Sequence, residues 1–359
     1  MQQRDNHRQL QSLSVIIGFV MVLLSLVIIL GAAIYTYNNA YRIISPGRVS
    51  IPISSGTSNS TLPENTCKTP SHKPGDSYRS ILSSGVKRTF ILHLPPSYGK
   101  QPQPLVISYH GYTFTAQRMA HYTNMAAEAD KAGFMLVFPQ GLDNPPSWNA
   151  GINTGDADDV QFTHDLITFI EKNYCTDAHR IYVTGFSLGG GMAYRIACTL
   201  TDQIAAVATV AGAYYHAPGG CHPSRPIPVL EIHGQADPDA PYNGNPTAGM
   251  AAVQVYLDVW LNRDGCESTS NVFFQKGDVK GIEWTHCAGG SIVVHYLVSD
   301  GGHNWPGAST NFSGFTTHVI DANVVIWDFF SHYSSQQEEP GGILSFNDAN
   351  RCCHPERSA

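Results

Sequence analysis

A serine stands between glycines two residues before and two after it, Gly185-Phe186-Ser187-Leu188-Gly189, where the segment RIYVTGFSLGGGMAYRIACT passes from strand-like alternation into a helix-forming run. A strand-to-helix turn this tight crowds its flanks, so both bracketing positions must lack side chains, and the central hydroxyl is pushed outward. The N–H groups of Leu188 and the residues after it open a helix, where unpaired donors and the dipole favour nearby negative charge. This arrangement suits acyl transfer: attack on a carbonyl carbon, with charge developing on oxygen beside the helix start. The G-x-S-x-G pattern alone says little in a chain with 33 glycines; the strand before it and the helix after it give it weight.

A serine hydroxyl is a poor nucleophile without a base, and the base needs an orienting carboxylate. In the chain order of α/β-hydrolases both follow the serine, carboxylate first. PIPVLEIHGQADPDAPY ends an apolar run and carries Asp237 and Asp239; Asp237 is favoured because it lies closer to the strand end and precedes Pro238, while either can cap a turn. His233 shares that stretch but comes too early to be the base. SIVVHYLVSDGGHNWPG supplies His303, preceded by Gly301-Gly302, which give the loop freedom to bring the ring back over the sheet. Oxyanion stabilisation requires backbone N–H groups. Leu188 is one donor, and the loop after PLVISY offers Tyr112, with Thr113 next. Trp148 and Trp305 are the aromatic residues nearest these motifs and suit contact with a polymer or an aryl acid, with core packing as the competing role. Asp158-Asp159 resembles a helix start, and Tyr214-Tyr215 is a candidate lining of the cleft.

Elements must hold these groups. Strands are expected at 87–94, 105–109, 134–138, 180–184, 205–210, 228–232 and 292–298, and helices at 116–132, 158–173, 188–200, 249–262 and 319–332. The alternation predicts an α/β fold, a mostly parallel sheet with helices on both faces. The catalytic domain is expected over 77–335.

Outside it the composition changes. Residues 14–36 contain an uncharged run long enough to cross a bilayer, predicting a transmembrane signal anchor or signal peptide after a short tail, 1–13. Residues 37–76, rich in Ser, Thr, Pro and Gly, read as a stalk, and 336–359 as a disordered tail that holds Cys352 and Cys353. All eight cysteines follow the apolar run, which predicts disulfides if they face an oxidising compartment. Local pairings are expected for Cys198 with Cys221 and Cys266 with Cys287, and Cys67 with Cys175 is a further candidate. Asn59-Ser60-Thr61 and Asn311-Phe312-Ser313 are glycosylation sequons. A net charge of −7 without a basic cluster argues against a nucleic-acid partner.

The ordered set SYHGYTFTA, FPQGLDNPPSWNAG, DADDVQF, VTGFSLGGGMAYRIAC, EIHGQADPDAPY and GGHNWPG resembles the secreted esterase branch that contains poly(3-hydroxybutyrate) depolymerases, feruloyl esterases and acetylxylan esterases, over roughly residues 65–335. The resemblance implies an α/β-hydrolase fold, a cofactor-free and metal-independent Ser-His-Asp mechanism with Ser187, Asp237 and His303, and an oxyanion donor at Tyr112. The expected activity is extracellular serine carboxylic ester hydrolysis on an ester substrate, small or polymeric, with the membrane as a partner if the N-terminal helix is uncleaved. A serine peptidase or acyltransferase on the same fold, and a silent hydrolase-like binding module, are the alternatives.

Overall fold

The computed structural model describes residues 72–151, 157–216 and 220–335, all within the compact unit Pro63–Ala359. The expectations for 1–13, 14–36 and 336–359, and for most of 37–76, lie outside these residues. Among the described residues no helix is long and apolar enough to cross a membrane.

Ten strands form one sheet in the order β1-β2-β4-β3-β5-β6-β7-β10-β9-β8. Its centre is parallel: β4 (Met135–Pro139), β3 (Gln103–Tyr109), β5 (Thr176–Phe186), β6 (Ala206–Val210), β7 (Val229–Gly234) and β10 (Val293–Val298). Most of these strands read as continuous apolar runs because helices cover both sheet faces. Antiparallel strands finish each side: β1 (Gly75–Ser83) with β2 (Val86–Leu94), and β8 (Asn271–Lys276) with β9 (Val279–Trp284).

Alternation along each strand divides the core in two. Leu105, Ile107 and Tyr109 face the layer made by α3 (Asp159–Asn173), α4 (Leu188–Thr199) and α5 (Val253–Asp264). Val106 faces the opposite layer, made by α1 (Ala116–Thr123), α2 (Met125–Ala132) and α6 (Ala322–Ser331). Ile167, Ile170, Ile196 and Trp260 fill the first side, and Met119, Met125, Ile326 and Phe329 the second. Parallel strands end together, so the loops after β3, β5, β7 and β10 gather at one edge.

All seven expected strands are present, and three more are found. β1 corrects the expected stalk boundary: it begins at Gly75, and its sequence GDSYRSILS has no apolar alternation because most of its side chains are exposed or half-exposed. β8 is likewise largely exposed. The single helix expected over 116–132 is two, broken where Asn124 adopts φ 50°. The helix expected from 249 starts at Val253, after a short 3-10 turn at Pro246–Ala248. Asp158 caps α3 as expected, its carboxylate accepting from the Gln161 N–H at 2.9 Å.

Candidate active site

β5 ends at Phe186, α4 starts at Leu188, and Ser187 between them holds φ 58° and ψ −122°, a backbone conformation that costs energy for a residue with a Cβ. Surrounding contacts enforce it. The Ser187 N–H donates to the Val210 carbonyl at 3.0 Å, and its own carbonyl accepts from Ala213 at 3.0 Å. The glycine requirement is literal: a Cβ on Gly185 would lie 2.1 Å from the Gly189 carbonyl oxygen, and one on Gly189 would lie 2.1 Å from that of Tyr109. Ser187 is half-exposed.

The loop after β3 runs alongside. A Cβ on Gly111 would meet Ser187 Cβ at 3.2 Å, a contact that would press the loop and the serine apart by a few tenths of an ångström. Thr113 takes φ 66°, an uncommon choice for a β-branched residue, and its N–H donates to the Pro146 carbonyl at 2.9 Å. That bond removes Thr113 as an oxyanion donor. Neither the Tyr112 nor the Leu188 N–H has a carbonyl partner among the described residues. Both remain available for a developing negative charge.

Behind this loop stands His110, fully buried. Its Nε2 accepts from the Gly141 N–H at 2.9 Å and its Nδ1 donates to the Gly111 carbonyl at 2.9 Å. Burial pulls its pKa down to about 4, so the ring is neutral and serves as a strut. Trp148 donates its indole N–H to the His110 carbonyl at 2.7 Å. The Asn149 N–H next to it binds Asp159, whose other oxygen pairs with buried Arg88 at 2.6 Å.

β7 and β10 deliver the other two groups. Asp237 Oδ1 accepts from the N–H groups of Asp239 and Ala240 at 2.9 and 2.7 Å, which leaves Oδ2 for His303 Nδ1 at 2.7 Å. Asp239 makes no such contact with His303. Burial opposes ionisation of Asp237, but hydrogen bonds from His233 and His303 outweigh it and hold its pKa far below the usual carboxylate range. His303 is itself buried, and its ring centroid lies 4.8 Å from that of Phe186, the residue before the serine. Asn304 fixes the His303 loop by accepting from Ser313 N–H and donating to the Ser313 carbonyl at 2.7 Å. Phe312, about two-fifths exposed, then sits 5.8 Å from the imidazole.

Ser187, Tyr112, Leu188, Asp237 and His303 therefore lie on the loops and helix start that converge at one sheet edge. The expected substrate contacts Trp148 and Trp305 need correction, because both are completely buried. Trp305 spends its indole N–H on Asn323 at 3.1 Å. Each secures a loop and presents no face to a substrate. Tyr214 is also buried, its hydroxyl 2.7 Å from Thr209. Sequence reasoning set His233 aside as too early to be the base and passed over Glu231 and His295; all three are buried behind Asp237, and their sign in the sequence was charged and polar residues alternating inside the apolar runs VLEIHG and VVHYLV. Among the described residues no group of three or more His, Cys, Asp or Glu is arranged to hold a metal ion.

Residues 88–256 match the family described as Esterase PHB depolymerase. That segment contains Ser187 and Asp237, and His303 follows it. Feruloyl esterase B of Piromyces equi is 34% identical over 230 residues, 60% of this chain, and the chain spans 42% of that protein's length. A probable feruloyl esterase C of Aspergillus clavatus is 32% identical over 223 residues, covering 60% of this chain and 76% of the relative. Among solved structures, an acetyl xylan esterase from Aspergillus awamori superposes with a TM-score of 0.53 at 13% identity, covering 71% of this chain and 99% of that one, which shows a shared fold.

Proposed function

The chain belongs to the PHB depolymerase esterase family, and from that premise we propose that it hydrolyses carboxylic esters through an acyl-serine at Ser187. The observation that carries this reading is the buried His303–Asp237 pair at 2.7 Å, its imidazole 4.8 Å from the ring of Phe186, the residue that leads into the strained elbow at Ser187. His303 Nδ1 donates to Asp237, which leaves Nε2 as the lone-pair nitrogen that accepts the Ser187 proton. Attack on the ester carbonyl places the oxyanion against the N–H groups of Leu188 and Tyr112. His303 then protonates the leaving alcohol, and water activated by the same ring releases the acid.

Related enzymes are named for feruloyl and acetylxylan esters, so acylated polysaccharides are the substrate class proposed first, with polyesters next. An extracellular setting is part of the proposal, supported by two disulfides and with residues 14–36 as signal or anchor. The test is turnover of p-nitrophenyl acetate and butyrate by the protein and by Ser187→Ala, under oxidising conditions. The variant is expected to lose roughly 10⁴–10⁶-fold in kcat. Methyl ferulate, acetylated xylan and hydroxybutyrate oligomers then divide the substrates. A folded protein no faster than its Ser187→Ala variant on any of these overturns the proposal.

A further inference from the structure

Behind Asp237 lies a chain of polar groups, His233, Glu231 and His295, all buried. His233 is almost completely enclosed and both of its ring nitrogens face acceptors: Nδ1 meets Glu231 Oε1 at 2.8 Å, and Nε2 meets the Ala240 carbonyl at 2.8 Å with Asp237 Oδ2 at 3.4 Å. A neutral imidazole carries one proton and one lone pair. Here a lone pair on either nitrogen would face an acceptor oxygen inside the protein, so the geometry demands a proton on both. His233 is an imidazolium held between two carboxylates.

The remaining neighbours agree with that charge. Glu231 Oε1 also accepts from the Tyr214 hydroxyl at 3.1 Å, and Oε2 lies 2.6 Å from His295 Nδ1, off the line of its N–H. His295 Nε2 in turn faces the Tyr242 hydroxyl at 3.0 Å. Tyr256 of α5 stacks on Tyr214 at 3.9 Å and brings no charge. Among the described residues no Arg or Lys pairs with Glu231 or Asp237, and His233 is the group placed between the two buried carboxylates. Burial works against charging His233, but the Glu231 carboxylate and the hydrogen bonds outweigh it and raise its pKa to about 10, while Glu231 is held down to about 2.

We infer that His233 is a positioning residue for the reaction: a permanent cation behind Asp237, anchored by Glu231, that keeps the catalytic carboxylate ionised and aimed while weakening its pull on the proton of His303. The inference rests on the proposed triad. Asp237 has to orient His303 without making it so basic that it stays protonated and useless as a base; a positive charge on the far side of the carboxylate adjusts that balance.

The test is a charge cycle read in the pH profile of kcat/KM for p-nitrophenyl acetate. His233→Gln leaves Glu231 and Asp237 as uncompensated anions, so the acid limb is expected to move up by about one pH unit. Glu231→Gln is expected to leave the limb in place or lower it, and the double variant Glu231→Gln with His233→Gln to return it near the wild-type position. A role in packing alone lowers kcat or Tm without this signed pattern. If His233→Gln does not fold, the histidine ring ¹⁵N spectrum of the wild-type protein gives the same answer: both His233 nitrogens are expected to stay protonated from pH 6 to 8.5. An unmoved limb in a folded His233→Gln variant, or a neutral His233 in that spectrum, overturns the inference. Wild-type turnover that Ser187→Ala abolishes, together with such a result, leaves the esterase reading standing; absence of wild-type turnover removes that reading instead.

Discussion

Asp237 has room for four hydrogen bonds and receives three, two from backbone N–H groups on one oxygen and one from His303 on the other, which His233 Nε2 also approaches to 3.4 Å. Replacing it with Asn keeps the shape but turns a donor toward His303, which favours the wrong tautomer. Asp237→Asn is therefore expected to lower kcat by about 10⁴-fold with little change in KM, measured by steady-state ester hydrolysis. Trp148→Phe deletes the bond to the His110 carbonyl and leaves that buried oxygen without its indole donor. A Tm lower by several degrees is expected, since such a loss costs about 1–3 kcal/mol. At this scale the sequence was legible where a residue's role follows from its place in the chain. Asp237 stood out from Asp239 by its distance from a strand end. His233 did not stand out, because its partners Asp237 and the Ala240 carbonyl meet it only once the loop after β7 turns back over the strand end, and no local pattern announces that return.

The elbow is an element-scale device, built from β5, α4 and the end of β3 pressed together. Gly189→Ala places a methyl group 2.1 Å from the Tyr109 carbonyl oxygen, which must move β3 or the helix. The expected result is loss of a cooperative melt near the wild-type Tm, read by circular dichroism. Asp264, the last residue of α5, offers a pH test of a different joint. It accepts from the Ile227 N–H at 3.2 Å and the Ser291 hydroxyl at 3.0 Å, while its other oxygen is unpartnered. Burial raises its pKa to about 7. An acid whose folded pKa is raised binds its proton more tightly when folded, so stability is lost as pH climbs from about 4 to 7. Asp264→Asn removes that loss. The variant is expected to be more stable than wild type at pH 8, by on the order of 1–3 kcal/mol in denaturant unfolding, and to lose the advantage at pH 4. The buried strands were legible as apolar runs. β1 and β8 were not, because an exposed edge strand has no apolar face to mark it.

On the scale of the whole molecule, the two local disulfides anticipated from cysteine spacing, Cys198–Cys221 and Cys266–Cys287, are present; the candidate Cys67–Cys175 involves a residue outside the described ones. Closing loops of this size stabilises a fold by about 3 kcal/mol each in the chain-entropy account. Mild reduction is expected to lower Tm by several degrees, measured by calorimetry with and without a thiol reductant. Both bridges serve the same layer: Cys198, Cys221 and Cys266 pack into the core shared by α3, α4 and α5. Neither of these two bridges ends in the opposite layer of α1, α2 and α6. Cys198 lies near the end of α4, the helix that Ser187 begins. The helix that begins at the proposed nucleophile is thus closed near its far end by a covalent bond that forms only where an oxidant is at hand, so the layer that carries the serine is completed by chemistry from the protein's surroundings as well as by burial.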